Sequence, residues 1–380
     1  MIVAYFSKLA VTFQGLFSIL LGILGIGFLI GFHELGHFLF AKLFKVRVPS
    51  FSLGFGPRLL TKKIGETEFC LSAIPFGGYV EIAGAAEVGQ GEQKDAFATD
   101  EGSFAIKPFY QKLLVMLGGI LFNFIFAYFT MILLFMAGIP KTPHLSQPII
   151  AIVQEQSPAE TAGLHIGDRI LLINEQPIGR NVQEIQKAIQ PLALQEATVV
   201  IERNGIQLTK NIMVGSRETE EGPVGVLGVE FDYLPIPAHS LKDAFALGIA
   251  TCNKWIKETI MGFAQLRRNL GNVGGPVMII SMAAKSSSQG WQLYFLLLAL
   301  ISINLAVLNL IPLPILDGGQ ILFYSIEAIV GRPIPHKIRE YIHIATAIMF
   351  IILFIYLTIN DISRLASSYI NSILTLLNMR

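Results

Sequence analysis

Residues 30–40 read IGFHELGHFLF and set His33, Glu34 and His37 directly after an uncharged run from Gly15 to Phe32. An ionisable group at bilayer depth costs at least about 2.5–3.5 kcal/mol, and such groups rarely persist there without a partner or a task. On a helix, positions four apart share a face with Cβ atoms about 5–6 Å apart, so His33 and His37 can each offer a nitrogen to one ion. Glu34 projects about 100° round the helix from His33. It can reach a water activated by that ion and serve as general base without being a ligand. A solitary histidine on an apolar face is more often a satisfied core residue. The complete His-Glu-x-x-His pattern, set where desolvation penalises all three side chains, points instead to a zinc site.

Two histidines leave the shell incomplete, because catalytic zinc normally has three protein ligands and one open position. The third must come from the same membrane depth. At the inner end of a later apolar run stands NLAVLNLIPLPILDGGQ, in which Asp317 is the only acidic residue between Glu258 and Glu327. Pro312 and Pro314 remove backbone donors and break the helix just before it. Irregular backbone at membrane depth is tolerated only where protein or water covers it, so this end is expected to line a cavity, with Asp317 as third ligand. The alternative is an interfacial helix-end aspartate preceding a Gly-Gly turn.

The elements that must position these groups are membrane spans. Of the 380 residues, 53% are hydrophobic and 14% charged, against roughly 25% charged in soluble domains. Mean hydropathy is +0.59. Four stretches can span a bilayer, about 15–40, 113–139, 291–315 and 343–360. The first runs into the histidine motif without a small-residue cleavage pattern, so it is expected to be retained. Lys42, Lys45, Arg47, Arg58, Lys62, Lys63, Lys94, Lys107 and Lys112 lie between the first and second spans, while the N-terminal flank holds only Lys8. That asymmetry predicts a cytoplasmic 40–112 loop, and Arg332, Lys337 and Arg339 fall on the same side by parity. The long 140–290 region is then exported, which separates Cys70 from Cys252 and predicts two unpaired structural thiols. A net charge of +1 carries no footprint for nucleic acid.

Alternation in Glu66–Ala73, punctuated upstream by Gly54, Gly56 and Pro57, predicts a β-hairpin or small sheet at about 50–80 on the membrane interface. Residues 84–104 are polar and Gly-rich and are expected to form a mobile loop. Short β-rich runs between turn signals, with a helix at roughly 181–190, mark a soluble α+β domain over about 145–235. Its SPAETAGLHIGDRILLINEQPI is similar to the PDZ signature of bacterial membrane and periplasmic proteases, with Gly167-Asp168 read as turn chemistry. Residues 238–268 mix apolar and basic positions at helical spacing, suited to an outer-surface helix or to packing on the PDZ-like domain. The organisation is a polytopic α-helical membrane protein with an inserted domain. Residues 1–140 and 291–380 are the halves of a membrane core, 145–235 is the PDZ-like domain, and 238–290 is a connecting region.

At these residues the chain resembles the site-2 protease family of intramembrane zinc metalloproteases, and most closely its bacterial regulator-of-sigma-E protease branch. The matching pieces are HELGH, GFGPRL, IPFGGYV, KPFYQKLLVMLGGILFN, the PDZ signature, GGPVMII and SINLAVLNLIPLPILDGG, in the family's order and over nearly the whole chain. The resemblance implies Zn2+ on His33, His37 and Asp317, general acid–base work at Glu34, and Asn304, Asn309 and Pro312 near the substrate. For the two asparagines, interhelical hydrogen bonding is an equal alternative. It further implies regulated intramembrane proteolysis of single-pass proteins such as anti-sigma factors or remnant signal peptides, from a multi-pass position in the bacterial inner membrane. A peptide or a free C-terminus would be the ligand of the PDZ-like domain, which would restrict access to substrates already trimmed on the exported side.

Two departures stand out. Relatives commonly carry two PDZ modules where one is visible here, and Ile120 occupies the position of a usual proline in the second span. Two other classes compete with the protease reading: a membrane-anchored scaffold with a vestigial metal site, and a metal transporter whose His and Asp mark an ion path.

Overall fold

Among the described residues of the computed structural model, four helices are long and apolar enough to cross a membrane: Gly15–Leu43, Phe109–Ala137, Trp291–Asn309 and Lys337–Arg364. The structure describes residues 2–85, 95, 98–142, 148–178, 182–219, 222–264 and 274–378. Two compact units result, Met1–Leu133 with Ala244–Arg380, and Leu134–Asp243.

The first unit holds the spans. Helix α1 is Ile2–Leu43 and α2 is Phe109–Ala137. Between them, β1 (Ser50–Ile64) and β2 (Thr67–Glu81) fold back on each other. Ser50–Leu53 pairs on one side with Gly78–Glu81 and on the other with Glu68–Leu71, while Arg58–Ile64 pairs with Thr67–Ser72. The outer edge of Gly78–Val80 is paired by no further strand among the described residues. Of the 84–104 stretch expected to be mobile, residues 86–94, 96 and 97 lie outside the described residues. Its described end is anchored, with Arg47 paired to Asp100 at 2.8 Å and Phe104 buried against Tyr324.

Ile120 has a packing reason. Helix α2 is continuous through that position, and the side chain is buried, as an apolar residue without proline's lost donor allows. Helix α5 (Leu241–Ala264) packs on the spans: Gly248 lies against Ile132, Tyr128 donates to Asn253 Oδ1 at 2.5 Å, and Thr259 donates to Asn304 Oδ1 at 2.8 Å. Residues 265–268 of the helical region expected there lie outside the described residues.

Helices α6 (Pro276–Gln289), α7 (Trp291–Asn309), α8 (Asp317–Val330) and α9 (His336–Asn378) complete this unit. The buried Asp361 of α9 caps α6 from outside, accepting from the Gly275 and Met278 N–H groups at 2.9 and 2.8 Å. Helix α7 stops at Asn309, short of the expected 315, because Pro312 and Pro314 cannot continue it. Cys70 and Cys252 are both buried free thiols.

The second unit is β-rich and includes the helices α3 (Pro158–Thr161) and α4 (Val182–Ile189). Strands β3 (Pro148–Val153) and β10 (Val229–Tyr233) pair, as do β8 (Gly215–Thr219) and β9 (Gly222–Val226). Strands β5 (Gln176–Pro177), β4 (Arg169–Ile173), β6 (Glu196–Arg203) and β7 (Ile206–Met213) form a four-stranded sheet in that order. The β6–β7 hairpin turns on Asn204-Gly205, both at positive φ, the combination a two-residue turn of matching twist requires. Ile150, Ile170, Ile173, Ile185, Ile189 and Ile201 fill the core.

Asp168 in this unit goes beyond turn chemistry. It accepts from the His165 N–H at 2.8 Å and takes two hydrogen bonds from Arg203, each 2.7 Å. Burial alone would raise its pKa, but the Arg203 fork and the His165 amide outweigh that and hold it below the usual carboxylate value. A depressed folded value means that the stabilisation is fully present above about pH 4 and is lost as pH falls through the folded pKa. We expect Asp168→Asn to loosen this unit by about 1.5 kcal/mol near pH 7, the low end for hydrogen bonds to a charged group, because Arg203 keeps access to solvent. Hydrogen exchange of residues 148–233 in the full-length protein measures the difference from wild type, which should shrink toward zero in acid.

Candidate metal centre

Two imidazoles four residues apart on one helix face need only α1 to be helical, and α1 runs unbroken through both. Their Nε2 atoms lie 3.1 Å apart. Asp317 Oδ2 sits 3.2 Å from His33 Nε2 and 3.4 Å from His37 Nε2. Asp317 is brought there by the chain reversal at Pro312–Leu316 and is the first residue of α8. The reversal is tight. A Cβ at Gly318 would lie 2.5 Å from the Leu310 carbonyl oxygen, and one at Gly319 would lie 2.1 Å from that of Leu313. The two glycines therefore stand inside the first turn of α8, where the folded-back loop has room for nothing larger, and they do not form a turn after a helix end. Gln320, buried one position on, donates to the Pro314 carbonyl at 2.9 Å and steadies the same loop.

Two nitrogens and a carboxylate oxygen converging on one point repel one another unless a cation or a shared proton lies among them. Zinc bonds of about 2.0–2.1 Å in tetrahedral geometry put neighbouring ligand atoms roughly 3.3 Å apart. The separations of 3.1 to 3.4 Å match that spacing. Asp317 Oδ2 is moreover buried beside the two imidazole nitrogens, with no hydrogen-bond partner among the described residues. This donor set suits a borderline cation such as zinc.

The His37 ring is held from behind, its Nδ1 lying 2.8 Å from the Val115 carbonyl of α2. The close approach of α1 and α2 is built on glycine. A Cβ at Gly36 would lie 2.2 Å from the Gly118 carbonyl oxygen, and one at Gly119 would lie 2.4 Å from His37 Nε2. Around the cluster is a cavity of about 380 Å³, whose lining includes Glu34, Gly78, Tyr79, Asn123, Asn309 and Leu316. A carboxylate beside three convergent donors, in a cavity with polar walls, can move a proton to or from a water or amide held there.

Of the residues expected near substrate, Asn309 lines this cavity. Asn304 does not, and its side chain is engaged by Thr259 of α5, the interhelical alternative noted above. Pro312 is exposed and acts on the path of the chain toward Asp317. Three contributors escaped the sequence reading: Gly119, the Val115 carbonyl and Asn123. Only Asn123 left a signal, as the one carboxamide between Gln111 and the end of an apolar span, where a polar side chain needs a partner.

Comparison with known proteins agrees with this chemistry. The sequence model described as Peptidase family M50 matches residues 21–355. A relative from Nostoc sp., whose name marks it as a candidate zinc metalloprotease, is 32% identical over 92% of this chain and 97% of its own. Zinc metalloprotease RasP of Geobacillus kaustophilus is 27% identical over 91% of this chain and 98% of its own. The solved PDZ domain of an SdrC-like protein from Listeria monocytogenes aligns with 23% of this chain and 87% of its own, at 17% identity and a TM-score of 0.20.

Proposed function

The chain belongs to peptidase family M50, the site-2 protease family, and on that premise we propose that it is a zinc endopeptidase hydrolysing peptide bonds inside the transmembrane segments of single-pass proteins. The observation that carries this reading is the convergence of His33, His37 and Asp317 at ligand spacing on the wall of a cavity that also holds Glu34. A zinc ion on those three residues supplies Lewis acidity toward water and toward the scissile carbonyl. Glu34 takes the proton of the attacking water and returns it to the leaving amine. Asn309, on the same wall, donates a hydrogen bond to the substrate backbone or to the developing oxyanion.

A transmembrane helix hides its amides in its own hydrogen bonds, so a cut needs local unwinding and new partners for the freed groups. The edge at Gly78–Val80, which no further strand pairs among the described residues, supports strand addition as their source. A Cβ at Gly78 would lie 3.3 Å from Glu34 Cγ, which puts that edge directly beside the proposed base. The Lys/Arg distribution supports a motif toward the cytoplasmic side of the inner membrane and an exported PDZ-like domain. In that domain a groove of about 360 Å³ between α4 and the Val224–Val229 segment suits a peptide or a free C-terminus. Anti-sigma factors and remnant signal peptides are the substrate classes this reading takes from the family.

The test is co-reconstitution with paired single-pass substrates, one with a uniform Leu/Ala span and one with Gly-Pro inserted in its inner half. Proline costs a helix interior about 3 kcal/mol. If about half of that is recovered in the unwound state, the broken span should be cut at least roughly tenfold faster. Fragment ends should map within the span, and chelation should stop the reaction. Equal rates for the two would remove strand addition from the mechanism, and cuts confined to flanking loops would remove the intramembrane assignment.

A further inference from the structure

The two imidazoles of the cluster are held differently, and the difference points to a residue that decides whether both can ligate. His37 Nδ1 faces the Val115 carbonyl at 2.8 Å. A carbonyl only accepts, so Nδ1 carries the ring proton and Nε2 keeps its lone pair for an ion. His33 Nδ1 faces instead the side-chain amide of Asn123 at 3.2 Å. A primary amide has a donor end and an acceptor end, interchangeable by a half-turn about Cβ–Cγ, and the partner's chemistry decides which end is presented.

The choice has consequences. If the NH2 end faced His33, Nδ1 would have to accept, the ring proton would move to Nε2, and that nitrogen could not ligate. It would also aim N–H at Asp317 Oδ2 and at the lone pair of His37 Nε2, 3.2 and 3.1 Å away. In that orientation Asn123 Oδ1 is buried with no donor to satisfy it. With the oxygen turned to His33, Nδ1–H has its acceptor and Nε2 is free, which reproduces at His33 what Val115 does at His37.

Asn123 is well placed to act this way, being fully buried at the centre of α2. Its own backbone carbonyl accepts from the buried Ser302 Oγ of α7 at 2.8 Å, so its position is tied to two neighbouring helices. We propose that Asn123 is a positioning residue whose amide oxygen accepts a hydrogen bond from His33 Nδ1–H and thereby fixes the tautomer in which His33 can ligate. This rests on the reading of His33, His37 and Asp317 as a metal centre.

The test compares zinc affinity, by competition with a chelator of known strength, in the full-length purified protein and in Asn123→Asp and Asn123→Leu. Outer-shell partners of this kind typically carry 10–100-fold in metal affinity. Asn123→Leu should lose about that much. Asn123→Asp, which can only accept, should hold zinc as tightly as wild type or tighter, and its Co2+-substituted form should keep the wild-type visible spectrum. Loss of zinc by the Asp variant would show that the amide acts as donor and would overturn the proposal. Unchanged affinity in the Leu variant, with helicity retained, would overturn it as well. If Asn123→Leu prevents folding, the Asp comparison decides alone. Wild-type protein that takes up no zinc at all would sink the metal-centre reading itself, an outcome separate from either variant.

Discussion

Glu34→Gln protein is expected to bind zinc like wild type and to cleave its substrate roughly 10²–10⁴-fold more slowly, the usual worth of a positioned general acid–base group. The amide is nearly isosteric with the carboxylate, so packing beside Gly78 survives and only the capacity to take a proton is lost. The ligand cluster consists of His33, His37 and Asp317 and does not include Glu34, so metal retention should be insensitive to the change. Single-turnover cleavage and metal stoichiometry on the same preparation make the measurement. Processing at the wild-type rate would remove Glu34 from the proton-transfer role, and wild-type protein that loads zinc but cleaves nothing would leave the membrane-anchored scaffold in place of the enzyme. Loss of zinc would instead move Glu34 into the ligand shell.

Gly119→Val should be nearly as damaging, through the metal. A Cβ at this position would lie 2.4 Å from His37 Nε2 and 2.7 Å from His33 Nε2, with no room for either ring to stay. Helix α2 cannot retreat to relieve the clash without breaking its own contact, because a Cβ at Gly118 would already lie 2.7 Å from the Gly36 carbonyl oxygen. The rings must therefore swing out of register with Asp317. Zinc affinity is expected to fall by at least about 100-fold, the upper end of what outer-shell changes cost, since here the ligands themselves move. Chelator competition reads the affinity, and circular dichroism reports whether the spans remain helical. Stoichiometric zinc at wild-type affinity would mean that the imidazoles do not lie against α2 as described.

Much of the organisation was legible because it rests on local rules. Long apolar runs mark spans whatever they pack against, and an i, i+4 pair on a helix shares a face in any fold. Asp317 was reachable by a less local step, since it is the one acidic residue at the right depth after a run that prolines must end. The sequence reading was less successful wherever a residue's role depends on what stands opposite. Asn304 and Asn309 are the same residue type, five positions apart on one run, yet one is engaged by Thr259 of α5 and the other lines the cavity.

By itself, then, the sequence determined the spans, the His-Glu-x-x-His face and the β-rich inserted domain, because each follows from periodicity and chemistry within a few turns of the backbone. Only the tertiary structure decided that α2 must be glycine where the imidazoles lie, that Asn123 backs His33 as Val115 backs His37, and that Gly318 and Gly319 make room for the loop that delivers Asp317. Gly318 and Gly319 are met by carbonyls of the loop just before them, whereas the contacts of α2 with α1 join residues 78 to 90 apart in sequence, at distances where a single methyl group is too large. No pattern along one stretch of sequence encodes them, because they arise from the angle and depth at which separate helices meet.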